Sequence, residues 1–248
     1  MLSELISNWL SDYLKSSKLD CFVIGISGGI DSAVTSTLCA KTERKTIVVS
    51  IPINQNKNQL LLARNHMNWL KNNFKNVECL EYDLSNIFSI FKSKFSDGTQ
   101  LSFANSKSRL RMTSLYQIAS THNGLVVGTG NKIEDLGIGF YTKYGDGGVD
   151  ISPIADLTKT EVREVGKELG IIKEIIEAKP TDGLWEDDRT DEDQIGASYE
   201  QLEWAMTYDG EVDSLSSDQK TIYNIYKTLN QKNSHKMNPI PIFKKVQK

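Results

Sequence analysis

The chain has little of what would tie it to an oxidising compartment, a membrane or a nucleic acid. It has only three cysteines. Cys21, Cys39 and Cys79 lie in apolar segments and form no CxxC pair. That argues against a disulfide framework and predicts reduced core thiols in a cytoplasmic protein. No apolar run approaches the roughly 20 residues of a membrane span. The start, Met1-Leu2-Ser3-Glu4-Leu5-Ile6, lacks the basic residues and small-residue cleavage site of a signal peptide. A net charge of −3 leaves no general basic footprint, so no nucleic-acid partner is expected. The three histidines, His66, His122 and His235, have no metal-ligand spacing. There is no GxxxxGK[ST] string and no GxGxxG string, which excludes a Walker A loop and counts against a standard dinucleotide fingerprint.

What is present reads as one domain over 1–248, with ordinary apolar (39%) and charged (25%) content for a globular chain. Leu2, Leu5, Ile6, Trp9, Leu10, Tyr13 and Leu14 recur at helical spacing, so an amphipathic helix opens the chain. Short β-rich runs at 21–26, 46–51, 77–82 and 125–128 alternate with helix-like segments near 31–41, 59–73 and 105–122. That alternation predicts an α/β fold, a parallel twisted sheet with helices on both faces. Ligands bind beyond the carboxyl ends of such strands, where the loops at 25–32 and 128–150 begin. Residues 129–150 read as a long functional loop. From residue 158 the chain reads as helical, over 158–169, 191–206 and 216–230. Residues 180–193 are polar, acidic and expected to be mobile.

The loop Gly25-Ile26-Ser27-Gly28-Gly29-Ile30-Asp31-Ser32 follows the apolar run Cys21-Phe22-Val23-Ile24 and precedes a helix. A bare glycine turn with a capping side chain is the plain alternative. The whole string suits a phosphate chain better. Gly28 and Gly29 let backbone approach an anion, the helix start attracts it, and Ser27 and Ser32 add hydroxyls. Asp31 would repel phosphate, so a bridging cation is needed, most simply Mg²⁺. The string resembles the pyrophosphate loop of the ATP pyrophosphatases, which cleave ATP between the α and β phosphates. The resemblance implies an adenine-nucleotide alpha hydrolase-like, Rossmann-like fold, and the loop alone leaves the acceptor open.

A second constellation narrows it. Phe140-Tyr141-Thr142-Lys143-Tyr144-Gly145-Asp146-Gly147-Gly148 resembles the signature of the NAD synthetases. Lys107-Ser108-Arg109-Leu110-Arg111-Met112 is similar to that family's Lys-x-Arg-x-Arg-Met helix. Pro153 to Lys159, Lys179 to Trp185, and His235-Lys236 also have counterparts. The resemblance implies that Thr129, Lys159 and Thr181 hold ATP with the loop 25–32. It implies Glu134 as a magnesium ligand beside Asp31. It places Arg109, Lys143, Asp150, His235 and Lys236 on deamido-NAD, and leaves Arg111 open. Arginine and lysine suit that task, because two nucleotide substrates bring many negative charges to one pocket. Asp146 reads either as a tight-turn residue or as a carboxylate that draws ammonium and takes its proton. Trp185, beside Gly183-Leu184, is a candidate to line the substrate pocket.

The implied activity joins ammonia to the nicotinate carboxylate of deamido-NAD with ATP and Mg²⁺, through an acyl-adenylate, giving NAD, AMP and pyrophosphate. A homodimer is implied too, with substrate near the interface. The apolar stripe of the first helix suits an interface or the core equally. The first strand begins near residue 21, which leaves no room for an amidohydrolase domain, so free ammonia, or ammonia delivered by a separate protein, is expected. Two rivals stand beside this reading: another ATP pyrophosphatase acting on xanthosine monophosphate or tRNA, and a nucleotide sensor without turnover. The chain departs from many bacterial relatives at Gly130-Asn131-Lys132-Ile133, and one residue is inserted before Phe140.

Overall fold

The computed structural model describes residues 1–185 and 189–245. Part of the acidic stretch, 186–188, lies outside them. In chain order the elements are α1 (Leu2–Ser17), β1 (Cys21–Gly25), α2 (Ile30–Lys41), β2 (Lys45–Ser50), α3 (Lys57–Asn73) and β3 (Val77–Glu81). There follow α4 (Ser85–Lys92), α5 (Gln100–His122), β4 (Gly124–Val126), a π-helical turn (Ile133–Ile138) and α6 (Lys159–Glu168). The C-terminal part holds α7 (Lys173–Ile176), α8 (Asp191–Ile195), α9 (Tyr199–Thr207) and α10 (Ser217–Met237).

The strands form one parallel sheet in the order β3-β2-β1-β4. Both faces are apolar because both are covered. Phe22, Ile24, Val48 and Leu125 point to the side of α1, α2 and α3, where Leu10, Leu38 and Leu70 pack. Cys21, Val23, Ile47, Val49 and Val126 point the other way, onto Met112, Leu115 and Ile118 of α5. A third core lies off the sheet. Ile133 and Ile138 of the π turn meet Tyr199, Leu202 and Ala205 of α9 and Tyr226 of α10.

The sheet therefore matches the expected α/β class, with three differences of detail. The helical stretch expected over 191–206 is two helices. Gly196 takes a left-handed conformation (φ 84°) that ends α8, and Ser198 caps α9 by exchanging hydrogen bonds with Gln201. The segment 129–150 is not loop throughout, since it carries the π turn. The first helix divides its stripe: Ile6, Leu10 and Leu14 are core, whereas Leu2, Leu5, Trp9 and Tyr13 are exposed.

β1 lies between β2 and β4, and the loop after β1 leads to α2 on one face while α5 arrives at β4 from the other. The crevice opened there, beyond the carboxyl ends of the strands, is where an open α/β sheet takes a ligand.

Candidate active site

A cleft of about 240 Å³ opens at that crevice. Its walls include Gly25, Ile26, Ser27, Asp31 and Ser32 from the first loop, and Gly128, Thr129, Gly130 and Glu134 from the loop after β4. Asp146, Thr181 and Asp182 close it. An apolar bay of Val49, Ile51, Pro52, Leu60, Ala63, Met112 and Leu115 adjoins them.

The first loop holds itself in shape. Ser32 Oγ donates to Gly29 O (3.0 Å) and lies 3.1 Å from Ser27 Oγ, and Gly29 N–H donates to Ser27 Oγ (3.1 Å). Gly29 is the N-cap of α2, so the positive end of that helix dipole lies at the cleft. Asp31 sits in its first turn.

Three charged groups meet at one point. Lys159, the first residue of α6, is 2% exposed, and its Nζ donates to Asp31 Oδ2 (2.5 Å) and Glu134 Oε1 (3.2 Å). The ordinary expectation for a lysine at a helix start is exposure. Here the Thr158–Glu161 capping box fixes the helix end and turns the side chain inward. Burial alone would lower the Lys159 pKa, but Asp31 and Glu134 outweigh it and hold the ammonium above its usual range. Burial likewise draws Asp31 toward its neutral form while Lys159 draws it back. Asn131, fully buried, completes the corner: its Oδ1 accepts from Ile133 N–H and Glu134 N–H, and its Nδ2 donates to Asp31 Oδ1 (3.4 Å).

Asp146 lines the cleft and is exposed there. Its Oδ1 accepts from Ser108 Oγ (2.5 Å) and Thr142 N–H (3.1 Å), and its N–H donates to Ser108 Oγ (2.9 Å). Desolvation raises its carboxyl above the ordinary range, against these hydrogen bonds. Two further acids, which no sequence pattern marks, line the cleft. Asp135 is pushed up to about 7, by burial first and then by Glu134. Asp191, 6% exposed, is pushed up to about 8 by the same causes. Six carboxylates thus line the cleft: Asp31, Glu134, Asp135, Asp146, Asp182 and Asp191.

Arg111 is the basic residue that lines the cleft among the described residues. It donates to Ile51 O (3.0 Å) and Gln55 Oε1 (2.7 Å), and burial lowers its pKa to about 10. Arg109, two residues away, is exposed and donates to Lys143 O (3.2 Å). Thr181 Oγ1 donates to Arg189 O and accepts from Gly183 N–H. Leu184, not Trp185, reaches the cleft wall, because Trp185 Nε1 is turned to Asp182 Oδ2 (3.3 Å) and its ring lies under Arg189.

The remaining candidates sit outside the cleft lining, each held by its neighbours. Lys143 Nζ donates to His235 O (2.9 Å), and Lys236 Nζ donates to Gly139 O and Tyr141 O. Asp150 accepts from Tyr116 OH (2.9 Å) and Val126 N–H (2.8 Å). His235 and Lys236 are not a loose tail: they form the last turn of α10, which packs on the π turn.

A parallel α/β sheet with a serine-glycine loop and a helix start at its switch point is the architecture of the nucleotide-binding α/β class. Residues 2–240 match the family model described as NAD synthase, and the chain belongs to that family. The NH(3)-dependent NAD(+) synthetase of Carboxydothermus hydrogenoformans is 36% identical over 94% of this chain and 93% of its own. The structure of an NMN synthetase from Francisella tularensis superposes with a TM-score of 0.86 at 32% identity, covering 97% of this chain and 96% of that one. The NH3-dependent NAD synthetase of Campylobacter jejuni superposes with a TM-score of 0.79 at 28% identity, covering 98% of both chains.

Proposed function

We propose that the protein amidates deamido-NAD with ammonia, using ATP, to give NAD, AMP and pyrophosphate. The observation that carries this reading is the meeting of Asp31, Glu134 and Lys159 at the open end of the serine-glycine loop. A carboxylate is a poor electrophile, so its oxygen first displaces pyrophosphate from the α phosphorus of ATP. Ammonia then attacks the acyl-adenylate carbonyl and AMP leaves. Residues 25–32 with Thr129 and Thr181 would seat the triphosphate, and Lys159 would offset its charge. The apolar bay, with Arg111 and Gln55 at its edge, would take the adenine.

Even with Asp135 and Asp191 drawn toward their neutral forms, the acids that line the cleft against Arg111 and the buried Lys159 make a poor bed for phosphates unless cations come with them. Asp31 and Glu134 already share one cation, Lys159 Nζ, and their oxygens are the hard donors that magnesium takes. They would hold Mg²⁺ together with phosphate oxygens, and the ion supplies charge neutralisation on the departing pyrophosphate.

Asp146 is the residue proposed to handle ammonium. With a raised pKa it is the base form that acts, so the rate should climb with pH on the acidic limb. Asp146→Asn is expected to lose about 100-fold in amidation and to flatten that limb. An unchanged dependence on ammonia and pH would remove Asp146 from the chemistry.

The deamido-NAD set, Arg109, Lys143, Asp150, His235 and Lys236, lies outside the lining of the cleft described above. A second copy would complete the acceptor site. Ile87, Ile90, Phe91, Phe95 and Leu101 form an exposed apolar stretch from α4 to the start of α5, the helix that carries Arg109, and this face supports a homodimer. Among the described residues no helix is long and apolar enough to cross a membrane.

The likeness to an NMN synthetase over nearly its whole length favours a second reading, with nicotinate mononucleotide as acceptor. One assay separates them. The protein, ATP, Mg²⁺ and ammonium are incubated with deamido-NAD or with nicotinate mononucleotide, and the amide product and AMP are measured. NAD formation is expected, with the higher kcat/KM for deamido-NAD. No amide from either acceptor, with folded protein, would sink the assignment.

A further inference from the structure

Glu134 is held from behind by the C-terminal helices. Tyr199, the first residue of α9, is fully buried, and its hydroxyl donates to Glu134 Oε1 at 2.6 Å. The same hydroxyl lies 3.3 Å from Asp191 Oδ2. The ring is fixed on every side: it packs with Ile133 and Leu202, and Lys159 Nζ stands 4.5 Å above it. The backbone is fixed as well, by the Ser198–Gln201 capping box and by Tyr199 N–H donating to Glu192 Oε1 (3.1 Å).

Packing does not account for this hydroxyl. A core built for stability would place phenylalanine here, since buried ionic groups are often matched or bettered by apolar side chains of similar size. Instead one hydroxyl lies against two acids, Glu134 and Asp191, and among the described residues Asp191 Oδ1 is buried with no hydrogen-bond partner while Asp191 lines the cleft. Such an arrangement costs stability. It is retained at the carboxylate on which the catalytic reading depends. We propose that Tyr199 is a positioning residue that fixes Glu134 Oε1 for the nucleotide step, and that Asp191 fixes the direction of the Tyr199 hydroxyl. The inference rests on the function proposed above, through Glu134. It assigns the α8–α9 segment a part in the site, since Tyr199 and Asp191 come from one short stretch folded against the π turn that carries Glu134.

Tyr199→Phe removes the hydroxyl and keeps the ring. The variant is expected to lose only a few degrees of melting temperature, since Glu134 keeps Lys159 as a partner while the buried Asp191 loses one. It should release pyrophosphate in a single turnover about 10- to 100-fold more slowly, the factor carried by a hydrogen bond to a charged group. Its KM for ammonium should not change, which is the split that general damage would not produce. Asp191→Ala should show the same defect, and Asp191→Asn, whose amide can still bond the tyrosine oxygen, a smaller one. Calorimetric binding of ATP with Mg²⁺ should weaken in Tyr199→Phe whatever the acceptor proves to be. Wild-type rate and ATP affinity in Tyr199→Phe would overturn the inference, and so would a uniform loss that tracks a lowered melting temperature. Failure of the functional reading shows separately, as absence of amide product from the wild-type enzyme.

Discussion

Lys159→Met is expected to lower kcat/KM for ATP by about 1,000-fold and to destabilise the fold at the same time. The catalytic part follows from removing a preorganised charge from the phosphate site, typically worth ~100- to 1,000-fold. The structural part follows from what is left behind. Asp31 and Glu134 lose the cation they share, and breaking a buried pair costs about 3–5 kcal/mol. Their side chains keep 15% and 16% exposure at the cleft, which holds the cost near about 3 kcal/mol. At ~2–4 °C per kcal/mol for a chain of this size, the melting temperature should fall by about 6–12 °C. Methionine keeps the bulk and isolates the charge. Added Mg²⁺ should restore more melting temperature to the variant than to the wild type, because it can bind the uncompensated acids and bound ligand stabilises by mass action. Thermal melts with and without Mg²⁺, beside a pyrophosphate-release assay, read all three effects. A variant with wild-type melting and wild-type use of ATP would contradict the central role given to this triad.

The parts of this site that the sequence displays are those whose partners are near in the chain or set by a strand end. The loop 25–32 and the stretch 128–134 stand out because short apolar runs precede them, and both runs are strands. Lys159 announces itself only as a helix start, and its inward turn depends on α6 packing over the cleft. Asn131 was visible merely as a departure from relatives, yet it ties the second loop to Asp31. The stretch between Glu134 and Phe140 is a π turn, Ile133–Ile138, and no local pattern in the sequence marks it. No local signal marks Tyr199 or Asp191, whose tie to Glu134 closes a loop of about 60 residues and needs the C-terminal helices folded back. α4 escaped for a different reason. Its run Ser85-Asn86-Ile87-Phe88-Ser89-Ile90-Phe91 is rich in residues that favour strands, and only Phe88 is buried. Its helical state is set by docking on α5, not by propensity.

Gly28→Ala is expected to raise the KM for ATP by about 100-fold while the chain still folds. Gly28 has φ 93°, a left-handed conformation that costs a residue with a Cβ about 1–3 kcal/mol. A Cβ there would also lie 2.5 Å from Gln59 O and 3.1 Å from Ala63 N. Both are backbone atoms of α3, which is packed on the sheet through Ala63, Met67 and Leu70 and has no room to retreat. The loop must move instead. Its internal hydrogen bonds join Ser27, Gly29 and Ser32, so it moves as a unit and carries its serines away from the phosphate path. The neighbouring glycine is the control. Gly29 has φ −89°, and its Cβ would meet only Ser27 Oγ at 3.4 Å, an ordinary contact. Gly29→Ala should therefore melt within about 1 kcal/mol of the wild type, the scale of a changed N-cap. Equal melting temperatures for the two variants would show that α3 yields to the added Cβ. A larger loss of stability in Gly28→Ala, with ATP binding impaired beyond it, would show that the first glycine holds the loop against α3 and the second leaves its outer face open to phosphate.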